Sequence, residues 1–299
     1  MSDGPALILD GYSLLFRSFY ALPPMSTRAG VPTGALYGVS VLLLKLLREE
    51  RPAALAFALD APGPTVRHEA FGAYKAGRAP APDPLREQLV RLPELAAAFG
   101  APVHRVPGWE ADDVVASLCC AVPGPTLVVS GDTDLVQLVD ADTTLLFVGR
   151  RQKEHVRYDV DAVRARYGFD PRGIPTYKAL AGDPSDNLPG IPGIGAKTAA
   201  QLVLEHGDAA GIVAAHATLP ARARRALADH LEALPRWEQL ATLNRELPLA
   251  PPLTGPADGY DALRTWFAAN EFKSLLARVE ALAAGTTAPP RAGGRSRRA

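Results

Sequence analysis

Apolar residues fall in short unbroken runs at Ala6–Leu9, Ala54–Leu59, Thr126–Val129 and Thr144–Val148, with a weaker run at Val103–Val106. Runs of this length, without polar alternation, predict buried strands. Between them, Thr33–Arg48, Pro84–Phe99 and Glu110–Cys119 read as helices. Strands alternating with helices predict an α/β unit with a mostly parallel sheet. The alternation fades near residue 170. From 174 to about 284 the chain reads as all-helical, punctuated by Gly and Pro, and 285–299 reads as a disordered basic tail.

The 299 residues, 47% hydrophobic and 21% charged, fit about two globular domains and exclude wholesale disorder. Val39–Leu47, among the longest apolar stretches, is interrupted by Lys45, and no run approaches the ~18 residues of a membrane span. No basic segment precedes the first apolar run, so no secretory signal is expected. Cys119 and Cys120, the only cysteines, are adjacent and make neither a structural disulfide nor a zinc framework. A reducing, cytoplasmic setting follows as the expectation.

Chemistry enters at the ends of the apolar runs. One ends at Asp10, a second at Asp60, and a third leads into Asp132 and Asp134. Parallel strands would bring these acids to one edge, where open α/β sheets bind ligands. Glu110, Asp112 and Asp113 open a helix, and Asp183 and Asp186 sit in a further acidic turn. Each piece alone is ordinary helix-capping or turn chemistry. Together they are not, because two carboxylates 4 Å apart repel by roughly 4 kcal/mol at an effective dielectric of about 20. Hard divalent cations with oxygen ligands, Mg²⁺ or Mn²⁺, would supply the missing charge. The net charge is zero, yet without these nine acids the chain carries 32 basic and 23 acidic residues. An acidic site on a basic body suits a polyanionic substrate.

Two further segments point the same way. Arg67–Arg78 interleaves cations with aromatics, and a helical turn over Tyr74, Lys75 and Arg78 would let cation and ring meet a phosphate and a base. Prolines at 62, 64, 80, 82 and 84 flank it, so it is expected to stand off the sheet. Gly190, Gly193 and Gly195, followed by Lys197 and Thr198, read as a tight hairpin feeding a helix whose N-terminus favours an anion. A nucleotide P-loop is excluded, since Ala196 separates the glycine from the lysine and no strand precedes the loop. A helix-hairpin-helix gripping a nucleic-acid backbone without regard to sequence fits better.

These segments, in this order over about residues 6–280, resemble the 5′-nuclease (flap endonuclease-like) family, which includes the 5′→3′ exonuclease domain of bacterial DNA polymerase I. They are Leu9–Gly11 with Arg17 following, Phe57–Asp60, Arg67 with Tyr74–Arg78, Pro107–Asp113, Ser130–Asp134 and Gly182–Ala199. The resemblance implies a PIN-like nuclease core over 1–173 with a helical arch at about 62–98, and a helix-hairpin-helix DNA-binding subdomain over 174–284. It implies a first metal site at Asp10, Asp60, Glu110, Asp112 and Asp132. A second would use Asp132, Asp134, Asp183 and Asp186, with Asp113 close by. Lys75 and Arg78 would contact the scissile phosphate, while Arg17, Arg67, Tyr74 and the hairpin residues would contact DNA. The hairpin carbonyls could also hold K⁺.

The expected activity is metal-dependent hydrolysis of DNA at 5′ ends and 5′ flaps, in replication and repair, by a monomer with a possible polymerase or clamp partner. Thr133 departs from the long side chain common between the two aspartates. The chain shows no polymerase region up to Ala299, so it resembles the stand-alone form of the nuclease. A PIN-type ribonuclease shares the acidic core, but the arch and hairpin argue against it. A non-catalytic DNA-binding scaffold is disfavoured by the complete acid set. An Asp-nucleophile phosphatase lacks its second aspartate two residues after Asp10.

Overall fold

A computed structural model of the chain describes residues 4–77, 79–149, 155–249, 253–255 and 260–284. Its centre is a six-stranded sheet built from β1 (Gly4–Asp10), β2 (Pro52–Ala58), β3 (Val103–His104), β4 (Thr126–Ser130), β5 (Thr143–Phe147) and β6 (Val156–Tyr158), in the order β3-β2-β1-β4-β5-β6. All neighbours are parallel except β5 and β6, which are antiparallel. The five apolar runs are thus all strands, although Val103–Val106 supplies only two paired residues. The pattern gave no signal for β6, whose three residues are mostly exposed.

The helices are α1 (Gly11–Ala21), α2 (Gly34–Glu50), α3 (Val66–Ala70), α4 (Asp83–Ala98), α5 (Ala111–Ala121), α6 (Val160–Tyr167), α7 (Ile174–Ala181), α8 (Ala196–His206), α9 (Ala209–Ala214), α10 (Ala221–Leu227), α11 (Ala233–Ala241), α12 (Asp261–Ala269) and α13 (Lys273–Ala283). The three long helices expected from periodicity, α2, α4 and α5, form within two residues of their expected ends. None of the described helices is long and apolar enough to cross a membrane.

Strand alternation divides the interior into two clusters. Leu7, Leu9, Leu55, Phe57, Leu127 and Val129 face one side of the sheet, where α1, α2 and α4 cover them. Ile8, Ala56, Ala58, Val128 and Leu145 face the other, against α5. That second cluster continues without a break through Ile174, Leu180, Ile191 and Ile194 into Leu202, Ile212 and Leu234. The sheet and the helices from α7 to α11 therefore share one core. The last two helices behave differently from a single 174–284 unit. Leu263, Phe267, Leu275 and Val279 of α12 and α13 pack back onto the α2–α4 side of the sheet.

The segment between β2 and β3 also departs from expectation. Only α3, with five residues, and α4 are helical, while residues 72–77 form turns. Tyr74 and Lys75 do not share a helical turn, and Lys75 adopts a left-handed φ of 52°. The carboxamide nitrogen of Asn187 donates to the carbonyls of Ala73 (2.9 Å) and Ala76 (2.7 Å), and the Lys75 N–H donates to the Asp186 carbonyl (3.2 Å). Far from standing clear, these turns are tied to the acidic turn that follows α7. α4 likewise buries Leu85, Leu92 and Leu95 against the sheet helices.

The hairpin 190–195 links that acidic turn to α8. Gly190 has φ 67°, and a Cβ on it would lie 2.4 Å from the Gly182 nitrogen, so only glycine fits. Gly195 is different: its φ is −93° and a Cβ would meet nothing within 4 Å. Gly190 serves the fold, whereas Gly195 leaves the N-terminus of α8 open.

Candidate active site and metal centre

The sheet order places β2 and β4 on either side of β1, which makes the carboxyl end of β1 the switch point where a ligand crevice is expected. Asp10 closes β1 there and caps α1, its carboxylate accepting from the Ser13 N–H at 3.3 Å and from the Ser130 hydroxyl at 2.5 Å. Asp60 follows β2 and accepts from the Ala111 N–H (2.8 Å), which ties it to the start of α5. Glu110 and Asp113 form a reciprocal capping box at that start, and Asp112 lies between them. Asp132 and Asp134 occupy the loop after β4, where the Asp134 N–H donates to Asp132 (2.9 Å). Asp10, Tyr12, Asp60, Lys75, Asp112 and Asp132 line one cleft of about 480 Å³.

A second group of acids lies beside it. Carboxylate oxygens of Asp134, Asp183 and Asp186 lie within 4.8 Å of one another. Lys178, near the end of α7, donates to Asp183 at 2.6 Å and also to Asp134. Lys75 donates to Glu110 at 2.6 Å and lies 3.8 Å from Asp186, so it stands between the two groups.

The carboxyl groups show the strain of convergence. Burial pushes Asp10 up to about 7, with Asp60 and Asp132 adding to the effect and the Ser130 hydrogen bond opposing it. Burial, then the charges of Asp132 and Asp10, hold Asp112 well above the usual carboxylate range. Asp134 is raised by burial and by Asp132, against Lys178, and Asp186 is raised by burial against Lys75. Two acids go the other way. Burial works to raise Asp132, but hydrogen bonds with Asp134 and nearby lysines together outweigh it, and at Asp183 burial is outweighed by the Lys178 charge together with hydrogen bonds from Lys178 and Ser185. An all-oxygen donor set of this charge fits hard divalent cations such as Mg²⁺ or Mn²⁺. The nearby imidazole of His68 is engaged elsewhere, its Nδ1 lying 2.7 Å from the Thr65 hydroxyl.

Four residues expected at the metal or DNA have other partners. Asp113 is fully buried and grips Arg67 through both carboxylate oxygens, at 2.5 and 2.7 Å, so it does not face the cleft acids as a ligand. Arg67, expected to contact DNA, is itself buried. Beyond Asp113 it donates to Glu110 (3.3 Å) and to the carbonyls of Leu240 (2.8 Å) and Thr242 (3.0 Å), joining α5 to α11. Tyr74 is buried with its hydroxyl on Glu110 (2.9 Å) and Asp186 (3.2 Å), which leaves no ring face for a base. Arg17 donates to the Gly131 carbonyl and stacks 5.4 Å from the Phe147 ring, bracing the loop that carries Asp132. For Arg67, Tyr74 and Arg17, a cation or ring read as a DNA contact satisfies an acid or a carbonyl instead.

Gly190, expected to contact DNA, is instead buried against the Gly182 backbone. Lys197 is exposed and Thr198 half-buried in the first turn of α8, beside the exposed Gly193 and Gly195. Arg78 and the basic tail 285–299 lie outside the described residues. Lys178 was missed. Its only sequence signal is a lysine four residues after Ile174, on the buried face of α7.

Comparison with known proteins agrees with this architecture. Residues 5–168 match the family described as 5′-3′ exonuclease, N-terminal resolvase-like domain, and residues 169–256 match 5′-3′ exonuclease, C-terminal SAM fold. DNA polymerase I of Mycobacterium tuberculosis is 41% identical over 249 residues, covering 82% of this chain and 28% of the relative. The thermostable DNA polymerase I of Thermus thermophilus is 37% identical over 278 residues, covering 91% of this chain and 33% of the relative. The chain thus spans about a third or less of these relatives' length. Among solved structures, T5 5′-exonuclease with bound zinc has a TM-score of 0.64 at 24% identity, covering 80% of this chain and 90% of that one. The catalytic core of Rad2 with DNA substrate has a TM-score of 0.62 at 17% identity, covering 93% and 92%. At those identities the likeness shows the fold.

Two outcomes are expected from this geometry. Arg67→Met leaves Asp113 buried without its partner and should cost about 3–5 kcal/mol in denaturant unfolding, most of it recovered in the Arg67→Met/Asp113→Leu double variant. Equal losses in the single and double variants would contradict the pairing. Second, a folded-state value of about 7 for Asp10 means that the native state binds more protons than the unfolded chain between the ordinary carboxylate value and about 7. Stability of the metal-free protein should therefore fall as pH rises from 5 to 8, by on the order of a few kcal/mol, and saturating Mg²⁺ should flatten the fall. The lowered acids, Asp132 and Asp183, contribute slope only below the ordinary carboxylate range. A metal-free stability that rises over this window would contradict the assignment.

With two family matches that together span residues 5–256 and relatives above 30% identity across four-fifths of its length, the chain belongs to the 5′-3′ exonuclease family and is a nuclease by that membership.

Proposed function

We propose that this chain hydrolyses phosphodiester bonds at the 5′ ends and 5′ flaps of DNA, using divalent ions held by its cleft acids. The observation that carries the reading is the convergence of acids from five chain segments around Lys75, beside a backbone-binding hairpin. In this assignment Asp10, Asp60, Glu110, Asp112 and Asp132 hold one ion, and Asp132, Asp134, Asp183 and Asp186 hold a second. Such ions, Mg²⁺ or Mn²⁺, would activate water and stabilise charge on the departing 3′-oxygen.

The chain's own residues supply the rest. Lys75, whose ammonium is kept charged by Glu110 and Asp186 in spite of burial, swings from Glu110 to a substrate phosphate. Arg78 acts with it. Gly193, Gly195, Lys197 and Thr198 present N–H groups and positive charge to the duplex backbone, and the hairpin carbonyls take K⁺. Arg67 and Arg17 act at one remove, by fixing Asp113 and the Gly131–Asp134 loop. The protein works as a monomer in the cytoplasm, in replication or repair, alongside a polymerase or clamp.

Cleavage of a 5′-labelled flap duplex tests this directly. Cutting near the flap junction in Mg²⁺ is expected, with none in EDTA and little on RNA. Asp134→Ala should lower cleavage at least about 100-fold, the scale on which a lost charge-stabilising group acts, while DNA affinity changes little. Undiminished cleavage by that variant would remove the second ion from the account, and RNA-selective cutting would favour a PIN-type ribonuclease.

A further inference from the structure

Each acid group has its own relation to the chain's cations. Among the described residues, Asp10, Asp112 and Asp132 make no ion pair with Lys or Arg. Asp10 accepts from the Ser13 N–H and the Ser130 hydroxyl, and Asp132 accepts from the Asp134 N–H. The Asp134, Asp183 and Asp186 cluster is different, because a cation is already seated in it. Lys178 is buried, and its ammonium donates to Asp183 Oδ2 at 2.6 Å and to Asp134 Oδ1. Those are two of the three carboxylates whose oxygens lie within 4.8 Å of one another.

The placement of Lys178 follows from its helix. Ile174 and Lys178 stand four apart on the inward face of α7, and both are buried. The acidic turn begins directly after that helix, at Gly182 with φ 82°, which returns Asp183 over the last turn. A lysine at this position therefore meets the carboxylates of the turn it precedes. Ser185 donates to the other Asp183 oxygen through its N–H (2.8 Å) and hydroxyl (2.6 Å), fixing that carboxylate toward Lys178.

We propose that Lys178 is a tethered counter-ion of the Asp134–Asp183–Asp186 cluster, which a divalent ion must displace to enter, so that this cluster binds metal more weakly than the Asp10–Asp112–Asp132 set. The inference rests on the reading of both acid groups as metal sites. An ion bound at about 2.1 Å by Asp134 and Asp183 takes the lone pairs that now accept from the ammonium. It also repels that ammonium, so the two cations are alternatives. The four-carbon stem of lysine, with its rotatable bonds, gives Lys178 a way out. Metal-free protein keeps the cluster neutralised, and filling is ordered, with the Asp10–Asp112–Asp132 set first. Lys178 is thus a positioning residue for the second ion. Lys75 has a lesser hold on the other site: it pairs with Glu110 at 2.6 Å but makes no salt bridge with Asp10, Asp112 or Asp132, and it lies 3.8 Å from Asp186.

The test is Mn²⁺ binding to the full chain without DNA, by calorimetry and by electron paramagnetic resonance of free ion. Wild type is expected to bind two ions with unequal affinity. Lys178→Met should tighten the weaker step by about tenfold or more, the scale of removing one nearby unit charge, and leave the stronger step within about twofold. Lys178→Gln should do the same, so loss of folding in one variant, checked by circular dichroism, leaves the other. Lys178→Arg should keep the weak step weak. Lys45→Met, which removes a lysine paired at 3.7 Å with Glu49 on the surface of α2, should change neither step. An unchanged or weakened second step in both neutral Lys178 variants overturns the proposal and spares the metal sites. Failure of wild type to bind any Mn²⁺ overturns both.

Discussion

Repulsion among carboxylates at the carboxyl edge of the sheet is the constraint around which the rest of the molecule is arranged. Asp10, Asp112, Asp132, Asp134 and Asp186 are all drawn out of water, and four of the five are pushed above the usual carboxylate range by burial and by one another. A fold that only needed helix caps would not collect them. The surrounding structure offsets the repulsion piecewise. Ser13 and Ser130 solvate Asp10, Lys75 answers Glu110, Lys178 answers Asp134 and Asp183, and Arg67 neutralises Asp113. What is left over is a concentration of negative charge that a divalent ion would relieve.

The same constraint explains how the two halves of the chain hold together. One apolar cluster runs from the sheet into the helices beyond residue 174. Polar ties then set the register between the halves: Arg67 reaches the carbonyls of Leu240 and Thr242, Asn187 holds the turns around Lys75, and the Asp113 carboxylate accepts from the Asn244 N–H at 2.8 Å. The acids of the second cluster come from both sides of this join. Asp134 belongs to the sheet half, whereas Asp183 and Asp186 belong to the helical half. Their spacing within 4.8 Å therefore depends on how the halves dock.

Much of this was legible in the sequence. Apolar runs ending in aspartate sufficed to place β1, β2 and β4 and to bring Asp10, Asp60, Asp132 and Asp134 to one edge, because a parallel sheet admits few other arrangements. The glycine spacing likewise pointed to a hairpin feeding α8. What sequence could not separate was a cation facing solvent from one facing an acid. Arg67, Arg17 and Tyr74 have the composition of a DNA-binding surface, yet their partners come from distant segments such as 110–113, 131 and 240–242. Lys178 was invisible for the same reason, since nothing local marks a lysine on an apolar helix face as the partner of Asp134, forty-four residues away. The turns at 72–77 escaped notice because tertiary ties to Asn187, rather than local propensity, fix them.

The central claim is that the acids sit together at a cost to the metal-free fold. Thermal unfolding of Asp112→Asn beside wild type, at pH 8 in EDTA and again in Mg²⁺, tests it most directly. The account expects the variant to melt above wild type in EDTA, because one member of a repelling set has been neutralised, and to gain less from Mg²⁺. A variant that melts below wild type in EDTA and gains as much from Mg²⁺ would contradict it.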